Sequence, residues 1–181
     1  MDVEQRPGVR PDPGFALLEL YDVALPEVYG YLLPRCGQRA LAEDLTEETF
    51  VAALAACQRP APPDLSVPWL IGVARHKLVD HWRRVAREER GLRAVAGQRT
   101  EPNDPWDERL DALVARQVLA GLGPHHRAAL TLRYIDGLPV VEVAGHLDRT
   151  VHATEALLVR ARSAFRKSYV DHDGPGTEDR S

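Results

Sequence analysis

The chain has 181 residues, 44% hydrophobic and 28% charged, which suits one ordinary domain or two small ones and is charged enough to stay in solution. No charged leader followed by an apolar stretch opens it, and no run of about eighteen apolar residues occurs, so neither a secretory signal nor a spanning helix is expected and the cytoplasm is the expected compartment. The net charge of −4 does not exclude a polyanionic partner, because acid gathers at Glu43, Asp44, Glu47 and Glu48 and in 101–111, while base gathers in 75–93.

Residues 1–13 carry Pro7, Gly8, Pro11 and Pro13 with little apolar content and read as a loose arm. Residues 15–24 form the first helical pattern, with Phe15, Leu18 and Leu20 among its apolar positions. Pro26 fits the first turn of a second helix that carries Val28, Tyr29, Leu32 and Leu33 and ends near 35–37. A third helix is expected over 39–56, with its four acids on one arc. The stretch QRPAPPDLS (58–66) has three prolines in nine residues and cannot continue it. Cys36 and Cys57 form no ligand pattern with each other and are expected to stay reduced as small apolar side chains.

The strongest pattern follows. In VPWLIGVARHKLVDHWRRVARE (67–88), Ile71, Ala74, Leu78, Trp82 and Val85 share one stripe at about 100° per residue. His76, Lys77, Asp80, Arg83, Arg84 and Arg87 lie opposite. Such a helix buries a Trp-centred stripe and turns a mostly cationic face outward, which suits an anion; a plain solvated face is the competing reading. The pattern fades by 91–97, and 98–105 is polar with Pro102 and Pro105, so 95–107 reads as a flexible linker. Helical patterns resume at 108–120, 124–136, 139–147 and 150–169, and 171–181 reads as a disordered tail. No stretch alternates with the period of a strand. The fold class is therefore all-α: two small helical domains, 14–94 and 108–170, joined by a linker.

In PVVEVAGHLDRTVHATEALLVRARSAFR (139–166), a short helix with Val140, Val143 and Leu147 meets a turn at Asp148 and Arg149, and Thr150 is a good N-cap for the next helix. On that last helix Val151, Thr154, Leu158, Ala161 and Phe165 share a face, with Leu157 at its edge. This is the outline of a helix-turn-helix, whose second helix enters the DNA major groove, although any antiparallel helix pair imitates it. Arg160, Arg162, Arg166 and Lys167 suit phosphates, while Arg149, His152, Glu155 and Ala156 at the helix start suit base edges. Glu155 repels phosphate but can accept from cytosine's amino group. Gly145 costs its helix up to about 1 kcal/mol relative to Ala, and close helix packing is the only account the pattern offers.

Six of the seven histidines (His76, His81, His125, His126, His146 and His152) raise the question of a metal. No two of them share a helix face with a carboxylate at the spacing of a zinc hydrolase. No glycine-rich phosphate loop and no nucleophile elbow appears either. No catalytic residue, metal or cofactor is expected.

Together the two halves resemble the extracytoplasmic-function sigma factors of bacterial RNA polymerase over nearly the whole patterned length. The N-terminal half is similar through LLELYDVALPEVYGYLL, RALAEDLTEETFVAAL and PWLIGVARHKLVDHWRR, and the C-terminal half through LGPHHRAALTLRYIDGLPVVEVAGHL and LLVRARSAF. The resemblance implies a region 2 domain and a region 4 domain, binding to core RNA polymerase at its clamp helices and flap, and promoter recognition in transcription initiation. It implies polymerase contact for the segment holding Asp44, Leu45, Glu47, Glu48 and Phe50. It implies engagement of the −10 element by Gln58, Asp64 and Ser66 of the loop, which in this family captures a flipped base, and by His76, Lys77, Asp80, Arg83, Arg84 and Arg87. Region 4 would read the −35 element through Arg149, Thr150, His152, Glu155, Ala156 and Arg160. An anti-sigma factor is an implied partner, and direct membrane insertion is not.

Members of that family usually start the recognition helix with Gly, Lys, Ser and Arg, where this chain has His152, Glu155, Ala156 and Leu157. Two rivals remain: a helix-turn-helix regulator that binds DNA without polymerase, and a sigma-like scaffold that forms no productive holoenzyme. The first leaves DLTEETF and the long cationic helix without a task.

Overall fold

The computed structural model describes residues 13–92 and 112–173, which form helices joined by short turns, with no strand among them. Residues 1–12 of the arm expected over 1–13 and the linker at 95–107 lie outside the described residues, as do 174–181 of the expected tail, while Pro13 is the first residue of a helix. The chain divides into two compact units between Lys77 and Leu78, a division that falls inside a helix.

In the first unit, α1 spans Pro13–Cys36 as one helix of 24 residues with Pro26 and Pro34 inside it. The break expected at Pro26 does not occur. Leu17, Ala24, Val28, Leu32 and Cys36 are buried at spacings of seven and then four, a stripe that holds its period straight through the proline. An interior proline costs about 3 kcal/mol through its missing N–H and its clash with the preceding turn. Burying Val28 and Leu32 contributes about 2 kcal/mol each, and a break at Pro26 would throw both out of register. The helix stops at Gly37, whose φ of 71° favours glycine. Arg35 supports this end by donating to the Tyr31 carbonyl at 2.7 Å.

α2 (Arg39–Cys57) packs on α1 with a face of small residues: Ala42, Leu45, Thr46, Thr49, Ala53, Ala56 and Cys57 are buried. The hydroxyls of Thr46 and Thr49 donate to the carbonyls of Ala42 and Leu45 at 2.7 Å, so neither threonine enters the core unsatisfied. Tyr21 of α1 meets Phe50 of α2 with ring centroids 4.9 Å apart. Neither cysteine is in a disulfide and both are buried, each as the last residue of its helix.

α3 (Val67–Leu92) follows the irregular 58–66 loop, and its first turn is capped by Ser66, whose Oγ accepts from the Trp69 amide at 3.4 Å. Of the expected stripe, Ala74, Leu78 and Trp82 are buried while Ile71 and Val85 are only half-buried, and Leu70, Val79 and Ala86 are buried instead.

The second unit adds α4 (Ala112–Gly121), α5 (Pro124–Leu130), α6 (Val140–Leu147) and α7 (Val151–Asp173) to the rest of α3. α7 packs against α4, α5 and α6. Five consecutive residues, Ala128 to Leu132, are buried, which marks α5 as the central helix of this unit. The regular helix expected over 124–136 instead ends in a π turn, Thr131–Ile135, closed by the Asp136 amide on the Thr131 carbonyl at 2.9 Å. Gly137 follows at a φ of 69°, and Pro139 is then the N-cap residue from which α6 starts.

On α7 the buried set is Thr154, Leu157, Leu158, Ala161, Phe165 and Tyr169. Val151, expected on this face, is 40% exposed because it occupies the first turn beyond the packed region. The helix also runs on to Asp173, past the expected end at 169. Close packing does not explain Gly145, because a Cβ built there meets nothing within 4 Å. Gly145→Ala should therefore stabilise the second unit by about 0.5–1 kcal/mol, read as a higher urea midpoint at unchanged slope. A lower midpoint would mean the glycine backbone itself is required.

Candidate nucleic-acid interface

The residues singled out by the sequence lie on α2, on α3 and at the helix-turn-helix. On α2 the arc opposite the core presents Asp44, Glu47 and Glu48, all exposed. Leu45, expected on this arc, is buried at 3% exposure, and Phe50 is half-buried against Tyr21. Both hold the arc from beneath. The apolar residues that reach the surface are Val51 and Leu54, 66% and 48% exposed. Glu47, Val51 and Leu54 stand at helical spacings of four and three, a signal that lies in the sequence but that charge alone does not pick out.

On α3, His76, Asp80, Arg84 and Arg87 are exposed, while Lys77 and Arg83 are half-buried. Several are already engaged within the protein. Arg83 Nη1 lies 3.5 Å from Asp80 Oδ1 one turn earlier. Arg87 Nε donates to the Arg83 carbonyl at 3.3 Å, and Arg84 Nη2 donates to His81 Nδ1 at 3.2 Å. His76 donates from Nδ1 to the Gly72 carbonyl at 2.8 Å. Lys77 Nζ lies 3.5 Å from Glu48 Oε2, so one cation of the α3 face meets one acid of the α2 arc. In the loop, Gln58 and Asp64 are exposed, whereas Ser66 is committed to capping α3.

At the helix-turn-helix, α6 ends with Asp148 in the left-handed region at φ 53°. The amides of Asp148 and Arg149 return to the carbonyls of Gly145 and Ala144 at 3.2 and 3.0 Å, the paired bonds of a Schellman turn. Thr150 then caps α7, its Oγ1 accepting from the Ala153 amide at 3.2 Å. This cap fixes the rotation of α7, so that His152, Glu155, Ala156 and Arg160 face water while Leu157 turns inward. Arg149 is half-buried at the turn. Burial, and then the charge of Arg160, push the His126 pKa below its ordinary value, so at neutral pH this imidazole adds no cation beside Arg160.

A cavity of about 140 Å³ opens in the second unit, lined by Ala115, Arg116, Leu119, Leu130, Tyr134, Ile135 and Phe165. Its walls come from three separate helices and the π turn, which is why no single stretch of sequence announces it. Among the described residues, no three His, Cys, Asp or Glu side chains gather as a metal site, and no helix is long and apolar enough to cross a membrane.

Comparison with known proteins bears directly on these residues. Residues 20–88 match Sigma-70 region 2, and residues 113–165 match Sigma-70, region 4. The ECF RNA polymerase sigma factor SigC of Mycobacterium tuberculosis is 31% identical over 125 residues, 68% of each chain. BldN of Streptomyces coelicolor, also an ECF RNA polymerase sigma factor, is 31% identical over 150 residues; the match covers 78% of this chain but only 56% of that longer one. The sigma factor RpoE of Bartonella quintana, solved in complex with the anti-sigma factor NepR, superposes with a TM-score of 0.52 over 84% of this chain and 96% of that one. At 18% identity this likeness shows the fold. The capped helix-turn-helix and the cationic α3 thus sit in the two segments that define one group of proteins, and the chain belongs to the extracytoplasmic-function (ECF) family of RNA polymerase sigma factors.

Proposed function

We propose that the chain is a dissociable promoter-specificity subunit, which binds core RNA polymerase and brings it to promoters without chemistry of its own. The observation that carries this reading is the presence of both sigma regions in order on one chain, each with exposed polar side chains. A region 2 domain over 14–94 would dock on the polymerase clamp helices through Asp44, Glu47, Glu48, Val51 and Leu54, with Leu45 and Phe50 supporting them. Gln58 and Asp64, with His76, Lys77, Asp80, Arg83, Arg84 and Arg87, would engage the −10 element. Opening the duplex and holding out a base costs a few kcal/mol, so cationic support beside the loop is what the step requires.

A region 4 domain over 108–170 would dock on the flap through the apolar cavity and set Arg149, Thr150, His152, Glu155, Ala156 and Arg160 against the −35 element. An anti-sigma factor is the expected regulator, as RpoE of Bartonella quintana has in NepR, and the cytoplasm is the expected compartment. The deciding experiment is run-off transcription by bacterial core enzyme on pooled genomic fragments from the source organism, with and without this chain. New specific transcripts support the reading and yield both promoter elements. Binding to core without transcripts would favour a scaffold, and no binding to core would favour a helix-turn-helix regulator.

Glu155 tests the −35 assignment. Glu155→Lys is expected to change the preferred base at one position by roughly tenfold, within the 1–3 kcal/mol that one base contact discriminates, while altering total affinity less. Selection from a randomised −35 library reads this directly. Unchanged preferences would remove Glu155 from the reading set.

A further inference from the structure

The ion pair between Lys77 and Glu48 joins two faces that the proposed function assigns to different macromolecules. Lys77 belongs to the α3 face with His76, Asp80 and Arg84. Glu48 belongs to the α2 arc with Asp44, Glu47 and Val51. Their charged atoms are 3.5 Å apart, and the side chains are 33% and 55% exposed. We propose that Glu48 is the internal counter-ion of Lys77, withholding that cation from DNA phosphate until a cationic surface of the polymerase engages the α2 arc.

The inference rests on the sigma-factor reading above, and two properties of the pair support it. An ammonium on a flexible four-carbon stem exchanges one oxygen partner for another easily, whereas a guanidinium held in a bidentate fork does not. At this exposure the pair is weak, so a competing contact to Glu48 is enough to release Lys77. Linkage then requires the converse, that phosphate bound to Lys77 leaves Glu48 more available to the polymerase. In the free chain Lys77 is accordingly withheld from phosphate. Glu48 is in this sense a positioning residue for DNA, acting through Lys77.

The test uses the full chain and a fluorescein-labelled single-stranded DNA of about twenty nucleotides and mixed sequence, with affinity followed by anisotropy across a KCl series. In the free chain, Glu48→Gln should tighten binding by about 2- to 5-fold at low salt and steepen the log–log salt slope by about 0.7, the increment for one more neutralised phosphate on a single strand. Lys77→Gln should be nearly silent in the free chain, and Glu48→Gln should add nothing in a Lys77→Gln background. With saturating core enzyme, Lys77→Gln should weaken DNA binding about 2- to 5-fold, because the cation is then in use.

Equal tightening by Glu48→Gln with and without Lys77 would show a general charge effect and overturn the inference. So would a Lys77→Gln loss of the same size in the free chain and in the complex. Core binding, measured separately by native gel, tells the two failures apart. Core binding without coupling sinks this inference alone, whereas no core binding sinks the functional reading and this inference with it.

Discussion

Replacing Arg83, Arg84 and Arg87 together with Gln is expected to weaken promoter-complex formation by one to two orders of magnitude at moderate salt while leaving affinity for core polymerase unchanged. The three cations lie on α3, whereas the residues proposed for polymerase contact all lie on α2. Each phosphate left without its cation lowers the salt slope by about 0.9 on duplex DNA, so removing three arginines should flatten it by about 2.7. The single substitutions should not share this equally. Arg84 and Arg87 are exposed, whereas Arg83 is half-buried and already lies 3.5 Å from Asp80, so Arg83→Gln should have the smallest effect. Filter binding over a salt series, paired with core binding by native gel, reads both quantities. Parallel loss of the two would move these arginines to the polymerase interface.

The second large effect lies in the core of the other unit. Leu132 is 1% exposed and sits inside the π turn, directly after the buried Leu130 and Thr131. Leu132→Ala removes three buried carbons from a site whose backbone geometry is fixed by the turn, and should cost about 3 kcal/mol. Hydrogen exchange is the appropriate measurement, since it resolves which amides lose protection. Loss confined to 78–92 and 112–173 is expected, together with loss of −35-dependent transcription. Equal loss across α1 and α2 would mean that the two units do not unfold separately.

Helix content and the order of the elements were legible because apolar spacing survives in the sequence wherever one face is buried. Leu78 and Trp82 on α3, and Thr154 to Phe165 on α7, could be placed from their period alone. Local chemistry was equally clear where one residue decides it, as at Thr150, whose hydroxyl caps α7 as its position suggested. What escaped was whatever depends on competition between local and tertiary terms. Pro26 carries a strong local stop signal, yet the stripe from Leu17 to Cys36 outweighs it. The π turn has no sequence signature, because it answers to packing around five successive buried residues. Among the site residues, the acids of α2 were legible by charge. The roles of Leu45 and Ser66 were not, because whether a leucine faces the core or a serine caps a helix is settled by a rotation of a single residue. The Lys77–Glu48 pair, 29 positions apart, required the fold.

The two buried thiols give this chain a built-in reporter. Cys36 and Cys57 are its only cysteines, and both close helices of the first unit, so the second unit contains none. A thiol reagent added to the native protein can react only when the end of α1 or α2 opens, and its rate measures that opening equilibrium. Labelling kinetics on the unmodified chain therefore follow the stability of one half of the molecule and ignore the other. Any ligand that clamps α1 and α2 would announce itself as slower labelling, with no dye or tag attached.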